Sequence, residues 1–218
     1  MSYRIVDMSA DPRSGQFAYF RSMADPWAGI TVPVDITEFR AALRGRPFFL
    51  SFLYAVVRAA NAVPELRRRI KDGRVVEYDR CCPSYTAMKD NGVYVYCLVD
   101  SGDLPYEEFL ADGKRRQAAA LASGELVETG DPLSNFFVSS VPWLAYTQLK
   151  HPHCGGEDSN PRFSWGKFTE QNGRLTLPVT VFVNHALADG WHLTQFYQNL
   201  ERELSGLTQQ IKSIQIKE

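Results

Sequence analysis

An Asn172-Gly173 dipeptide between two β-rich segments is the feature that most constrains the fold of this chain. Residues 162–169 and 174–184 flank the turn and are rich in β-branched and aromatic side chains. Asn-Gly supplies the positive φ angles of a tight hairpin turn, and such turns join adjacent antiparallel strands. The sequence therefore predicts two neighbouring strands, the second of which runs into His185.

Apolar side chains spaced three and four apart predict helices on both sides of this hairpin. One helix covers residues 48–63 and begins after Pro47, and its spacing is typical of a buried helix. Another begins beyond Gly190 and ends at Gly206, a residue that often terminates helices. Residues 105–121 have the composition of an exposed helix that is favoured by intrinsic propensity.

Further strands are predicted between these helices. Asp72-Gly73 indicates a turn into residues 74–78, and residues 93–99 alternate in β-rich composition. Residues 136–143 and then 144–149 also have strand-like composition, until a polar loop that ends near Pro161.

The mixed order of helices and strands predicts an α+β fold, in which helices cover a largely antiparallel mixed sheet in two layers. A length of 218 residues, without a visible repeat or linker, favours a single domain over residues 1–218. In this interpretation residues 207–218 form a C-terminal tail.

Charge and hydropathy exclude several classes of function. The chain has 24 Lys and Arg against 25 Asp and Glu, so it lacks the basic surface expected of a nucleic-acid or anionic-membrane binder. Its longest apolar run, residues 48–57, is half the length of a membrane span, and the N-terminus lacks the pattern of a secretory signal. We therefore expect a cytoplasmic protein without membrane or nucleic-acid partners.

The cysteines and one histidine-rich segment raise the question of a metal site. The spacing of the four cysteines fits no CxxC pattern, so free thiols are expected, most of them buried. His151, His153 and Cys154 lie within four residues, but a closed zinc site needs four ligands and no second cluster follows. The sequence predicts no metal site, and the role of these three residues stays open.

His185 is the residue with the clearest chemical potential. It follows an apolar strand and precedes Asp189-Gly190, which gives a His-x-x-x-Asp-Gly pattern at a strand-to-helix junction. Histidine is the side chain best suited to take a proton from an alcohol or a thiol near neutral pH, and a strand end fixes it while leaving a ring nitrogen accessible. A lone histidine in such a place is more often a buried side chain with satisfied hydrogen bonds.

Residues 181–192, Val-Phe-Val-Asn-His-Ala-Leu-Ala-Asp-Gly-Trp-His, resemble the active-site signature of the chloramphenicol acetyltransferase family. Other segments resemble the family in the same order and at similar spacing: residues 34–37, 64–73, 85–86, 137–143 and 166–168. The resemblance covers essentially residues 1–205. The His-x-x-x-Asp-Gly pattern is shared with other CoA-dependent acyltransferases, whereas Val-Ser-x-x-Pro-Trp favours the antibiotic-acetylating branch.

The resemblance implies roles for the residues that match the family's motifs. His185 matches the general base that deprotonates the acceptor hydroxyl, which then attacks acetyl-CoA directly, and Ser139 matches the serine that stabilises the oxyanion. Asp189 matches a structural aspartate that pairs with an arginine, here Arg13. Asn184 stands where the family commonly has a second histidine, and we assign it to the support of the site.

The substrate-binding residues also follow from the resemblance. Ser164 stands where the family commonly has a threonine near the reaction intermediate, and Tyr94, Tyr96 and Phe20 lie in the acceptor-pocket segments. Lys167 is either a CoA-binding residue or an ordinary surface lysine. No tightly bound cofactor is expected, and acetyl-CoA is the co-substrate.

The resemblance further implies a homotrimer whose active sites lie between subunits, so that His185 faces the acceptor pocket of a neighbouring chain. The acceptor is then chloramphenicol or a related small hydroxylated molecule. Two alternatives remain open at this stage. One is a non-catalytic binding protein with the same fold, and the other is an acyltransferase that uses a different acyl donor or acceptor.

Overall fold

The computed structural model describes residues 1–99, 104–123, 130–155 and 157–215. The helices in these residues are α1 (Ser14–Arg21), α2 (Thr37–Ala42), α3 (Phe48–Asn61), α4 (Tyr106–Ser123) and α5 (Gly190–Gln215), with short 3-10 turns at Pro64–Arg67 and Pro132–Ser134. The strands are β1 (Tyr3–Val6), β2 (Trp27–Asp35), β3 (Arg68–Lys71), β4 (Arg74–Tyr78), β5 (Cys82–Met88), β6 (Tyr94–Leu98), β7 (Asn135–Ser140), β8 (Arg162–Trp165), β9 (Thr169–Gln171) and β10 (Arg174–Asn184).

Most strands belong to one large mixed sheet with the order β2-β10-β8-β7-β5-β6, and β9 pairs with one end of β10. The β5–β7 and β7–β8 pairs are parallel, and the other pairs in this sheet are antiparallel. A smaller antiparallel sheet has the order β1-β4-β3. The predicted α+β class with a largely antiparallel mixed sheet is confirmed.

The large sheet has one face against helices and one face with polar residues. Side chains alternate along β8, where Phe163 packs against Phe196 of α5 and Trp165 packs against Phe52 of α3. Successive residues of a strand point to opposite faces, so Ser164 lies on the face away from these helices. The hydrophobic core therefore fills the helical side, and the polar side is the place to look for a site.

The hairpin predicted from Asn172-Gly173 is present between β9 and β10. The φ angles of these residues are 53° and 76°, as the turn requires. The strand predicted over residues 162–169 is interrupted, however, between β8 and β9. At Gly166 an added Cβ atom would lie 2.5 Å from the carbonyl oxygen of Leu144, because the chain that follows β7 crosses there. This close approach requires glycine and separates the two strands.

Two further predictions of helix and strand are wrong in part. The last helix does not end at Gly206 but continues as α5 to Gln215, because Leu207 and Ile211 extend its buried apolar stripe. Residues 216–218 of the predicted tail lie outside the described residues. Residues 144–149 are not a strand either. They belong to a loop that crosses the polar face, and Lys167 donates its backbone N–H to the Leu144 carbonyl at 2.7 Å.

The other predicted helices and turns are present in the structure. The helix predicted over residues 48–63 is α3, and the turn at Asp72-Gly73 joins β3 to β4. The helix predicted over residues 105–121 is α4, although it packs against the core through Phe109 and other apolar side chains rather than lying fully exposed. The four cysteines form no disulfide bond, and three of them are buried. Among the described helices, none combines the length and apolar character needed to cross a bilayer.

Candidate active site

His185 directly follows β10 and is held in place by packing. Its backbone N–H donates to the Pro26 carbonyl at 2.7 Å, and its ring stacks on Phe20 with the ring centres 3.8 Å apart. Nδ1 of His185 is buried and has no hydrogen-bond partner in the described part of the chain. Nε2 is therefore the ring nitrogen left for contact with a bound molecule.

The turn after His185 is tied to the N-terminal segment by an ion pair. Nη1 of Arg13 donates to Oδ2 of Asp189, and Nη2 of Arg13 donates to the His185 carbonyl at 3.3 Å. The ion pair predicted between Arg13 and Asp189 is thus present in the structure. Arg13 therefore binds both ends of the turn, at His185 and at Asp189. By fixing the backbone of His185, it restricts the position of the ring indirectly.

His192 makes a second contact with Asp189. This contact was not predicted from the sequence. Its Nδ1 lies 2.8 Å from Oδ1 of Asp189, and its ring is almost fully buried. Burial alone would raise the pKa of Asp189, but the hydrogen bond from Arg13 and the nearby charges of His192 and Arg13 outweigh it and lower that pKa. The only signal in the sequence was the three-residue spacing between Asp189 and His192, which suits a helix cap.

Asn184 supports the same turn from the strand side. Its Oδ1 accepts the backbone N–H of Ala186 at 3.1 Å, and its Nδ2 donates to the Asp158 carbonyl at 3.2 Å. The side chain is 2% exposed, so these bonds satisfy a buried amide. Asn184 therefore links the turn after His185 to the backbone at Asp158.

A row of hydroxyl groups crosses the polar face of the large sheet. Ser139 on β7 stands opposite Ser164 on β8, and Ser164 stands opposite Thr180 on β10. Oγ1 of Thr180 lies 2.7 Å from Oγ1 of Thr31 on β2. Residues in register on neighbouring strands are about 4.8 Å apart, so the row is continuous from β7 to β2.

The loop between β7 and β8 lies over this row and contributes two polar side chains. Nε2 of His151 is 3.0 Å from Oγ of Ser164, and the Tyr146 hydroxyl is 3.3 Å from Oγ1 of Thr180. Ser164 is fully buried beneath this loop. From the sequence, His151 was a candidate only as a metal ligand. Among the described residues, no three metal-ligating side chains cluster together.

A cavity of about 610 Å³ lies beside this row on the polar face. Its lining includes Ser139, Tyr94 and Tyr96, together with His151 and Arg162. Three of the predicted site residues therefore meet at one cavity. A second cavity of about 520 Å³ shares Thr86, Met88 and Ser140 with the first and extends towards α4.

Three other predicted site residues lie outside both cavities. Phe20 belongs to the surroundings of His185, and Ser164 is covered by His151. Lys167 is exposed at the surface, and no ion pair involving its ammonium group is found among the described residues. Within one chain these residues do not form a continuous site.

His185 and Ser139 are distant from each other along the sheet. The row of hydroxyls crosses β10 at Thr180, and His185 lies five residues further along the chain. At about 3.3 Å per residue this is roughly 16 Å along the strand. A single chain therefore presents two half-sites, one around His185 and one around Ser139 and the cavity.

Proteins of one known family are similar to this chain over most of its length. The family model described as chloramphenicol acetyltransferase matches residues 1–201. A chloramphenicol acetyltransferase 2 of Escherichia coli is 28% identical over 205 residues, which is 92% of this chain and 96% of that protein. A chloramphenicol acetyltransferase of Streptomyces acrimycini is 29% identical over 205 residues, which is 92% of this chain and 93% of that protein.

Solved structures give the same result at the level of the fold. A chloramphenicol acetyltransferase structure has a TM-score of 0.79 and 30% identity, and the match covers 93% of this chain and 100% of that chain. The cubic core of the pyruvate dehydrogenase multienzyme complex has a TM-score of 0.66 at 16% identity, over 88% of this chain and 86% of that chain, which shows a shared fold alone. This chain belongs to the chloramphenicol acetyltransferase family of CoA-dependent acyltransferases.

Proposed function

We propose that this chain transfers the acetyl group of acetyl-CoA directly to a hydroxyl group of chloramphenicol or a related small hydroxylated acceptor. Membership of the family supports the type of reaction. The observation that carries the proposal is the fixed position of His185, whose ring is stacked on Phe20 and whose backbone is held by Arg13. A general base must be positioned in this way to act on one hydroxyl group.

In the proposed reaction Nε2 of His185 takes the proton of the acceptor hydroxyl. The oxygen attacks the thioester carbonyl of acetyl-CoA, and the hydroxyl of Ser139 donates a hydrogen bond to the oxyanion that forms. The tetrahedral intermediate then collapses, the C–S bond breaks and the thiolate of CoA takes the proton from His185. The products are an acetyl ester and free CoA, and no acyl-enzyme is formed.

We further propose that the active site is completed by a second copy of the chain, in a homotrimer. The separation of His185 from Ser139 within one chain supports this arrangement, because a base and an oxyanion donor must both reach the same carbonyl group. His185 of one subunit then faces the cavity of its neighbour. A closed ring of head-to-tail contacts uses the same pair of surfaces at each interface, and three such interfaces give three sites.

The two adjoining cavities suit the two substrates of this reaction. We assign the cavity lined by Tyr94 and Tyr96 to the acceptor and the cavity that extends towards α4 to acetyl-CoA, since the two adjoin at Ser140, next to Ser139. Phe20 would then contact the acceptor bound by the neighbouring subunit. Lys167 is proposed to contact CoA by charge. Acetyl-CoA is a cytoplasmic metabolite. We therefore propose that this chain acts in the cytoplasm.

The test is a thiol-release assay with acetyl-CoA and a panel of hydroxylated acceptors that includes chloramphenicol. The wild-type chain is expected to release CoA with saturation by at least one acceptor. His185→Gln should lower turnover at least 10²-fold without changing the melting temperature, because a general base contributes about 10²- to 10⁴-fold. His153→Gln is the matched control and should retain turnover, because His153 does not line the cavity and its ring contacts Asp25 and Trp27 rather than His185.

Two results would contradict the proposal. Turnover above about a tenth of wild type in His185→Gln would exclude this residue as the base, since the expected loss is at least 10²-fold. Saturable binding of acceptors without any thiol release would instead favour a binding protein with the same fold.

A further inference from the structure

One histidine in the acceptor cavity has no role in the chemistry described above. His151 lies in the loop over the polar face, lines the cavity and places Nε2 3.0 Å from Oγ of Ser164. Because Ser164 is fully buried on a central strand, this hydrogen bond fixes the imidazole ring. The ring is therefore a preorganised part of the cavity wall rather than a mobile loop side chain.

The state of this ring at neutral pH follows from its surroundings. Burial, together with the charge of Arg162, lowers the pKa of His151 to about 4. The imidazole is then neutral, with one donor and one acceptor nitrogen. Nε2 is used by Ser164, whereas Nδ1 makes no hydrogen bond with any described residue and, unlike Nδ1 of His185, is not sealed from solvent.

Arg162 is the other strongly polar group of the cavity, but its hydrogen bonds are made within the chain. Nη2 donates to Oδ2 of Asp158 at 2.6 Å, and Nη1 donates to the Asn160 carbonyl at 2.7 Å. The guanidinium also lies 4.3 Å from the centre of the Trp27 ring. An anionic acceptor would have to compete with Asp158 for this group, so the cavity favours neutral ligands.

The rest of the cavity wall suits an aromatic molecule. Tyr94 and Tyr96 form an edge-to-face pair with ring centres 6.2 Å apart, and Trp143 lines the same cavity. Ser139 is one strand away from Ser164, which is a spacing of about 4.8 Å. A hydrogen-bonding group that reaches His151 would thus lie close to the acceptor hydroxyl that reacts near Ser139.

We propose that His151, held by Ser164, is a specificity-determining residue that hydrogen-bonds a second, neutral polar group on an aromatic acceptor alcohol. The inference rests on the proposed acetyl transfer and narrows its acceptor. An aromatic diol or hydroxy-amide satisfies the free nitrogen of His151, whereas an aromatic alcohol without a second polar group leaves it unpaired. Sites built to hydrogen-bond a substrate discriminate against analogues that lack the bonding group.

The test compares two acceptors that differ by one hydroxyl group, 1-phenylpropane-1,3-diol and 3-phenylpropan-1-ol. For the wild-type chain, kcat/KM is expected to favour the diol by about tenfold, which corresponds to one well-formed hydrogen bond. His151→Leu should reduce this preference to within about twofold, and the ratio of the two kcat/KM values measures this whatever the variant's absolute activity. His151→Gln keeps a hydrogen-bonding group and should retain most of the preference.

The outcomes separate this inference from the proposed function. Turnover of both acceptors with equal kcat/KM in the wild-type chain overturns the role of His151 and leaves acetyl transfer intact, and this comparison does not depend on whether a variant folds. An unchanged preference in His151→Leu overturns it as well. If no thiol is released with either acceptor, calorimetric titration of the wild-type chain decides the inference, because equal or absent binding of the two acceptors overturns it. The proposed function itself fails only if chloramphenicol and the other acceptors of the panel release no thiol either.

Discussion

The ion pair between Arg13 and Asp189 provides a quantitative test of how the turn that carries His185 is held. The perturbation is a double-mutant cycle with Arg13→Met, Asp189→Asn and the double variant. The side chains are 13% and 29% exposed, so the pair lies between a surface pair and a buried one. Exposed pairs contribute about 0–1 kcal/mol, and breaking a buried pair costs about 3–5 kcal/mol. We expect a coupling energy of about 2 kcal/mol.

The expected change in melting temperature follows from this energy. For a chain of 218 residues, 1 kcal/mol shifts the melting temperature by about 2–4 °C. Each single variant should therefore melt about 4–8 °C below wild type, and the double variant should melt no lower than the less stable single one. All four proteins are measured by calorimetry at the same protein concentration, because association would make melting depend on concentration.

The same double-mutant cycle, measured as kcat, tests whether the ion pair positions His185. Arg13 donates to the His185 carbonyl as well as to Asp189, so loss of either partner should misplace the imidazole and lower kcat. The double variant should again be no worse than the more impaired single variant. Simple addition of the two single effects, in melting and in kcat, would mean that the pair does not hold the turn.

Three further predictions address other parts of the structure. Ser139→Ala should lower kcat about 10²-fold with little change in KM, because an oxyanion donor acts in the transition state, and a change in KM alone would assign Ser139 to substrate binding. Since the pKa of Asp189 is lowered in the folded chain, its stabilisation is present at neutral pH and is lost as pH falls below the ordinary value of 3.8. The difference in melting temperature between wild type and Asp189→Asn should therefore shrink in acid, and a difference that grows there would be the wrong sign. Gly166→Ala should destabilise the chain by about 1–3 kcal/mol in urea titrations, because its Cβ atom would meet the Leu144 carbonyl, and a neutral effect would contradict this close approach.

Local signals in the sequence were sufficient to predict elements whose conformation depends only on the residues that form them. The turn at Asn172-Gly173 needs positive φ angles, and the sequence supplies residues that adopt them, so the hairpin could be predicted. Gly206 shows the limit of such signals, since Leu207 and Ile211 pack against the core and carry α5 past it. Tertiary packing thus overrides a local stop signal.

The motif around His185 could be found in the sequence through its resemblance to the family, but the arrangement of the cavity could not. The match of Asp189 and Arg13 to the family's pattern implied an ion pair, and the structure contains it. The row formed by Ser139, Ser164 and Thr180 depends on the register of three strands that are distant in the sequence. His151 reaches this row only because its loop crosses the sheet, and no local pattern encodes that crossing.

The central claim is that acetyl transfer occurs at a site made from His185 of one chain and Ser139 of another. The direct measurement is thiol release by His185→Gln and Ser139→Ala chains, each alone and co-expressed as mixed oligomers. Each variant alone is nearly inactive, whereas random mixing restores an intact pair at about a quarter of the sites if these lie between subunits. Recovery of about a quarter of wild-type turnover is the result we predict. Mixed oligomers no more active than the separate variants would contradict a shared site.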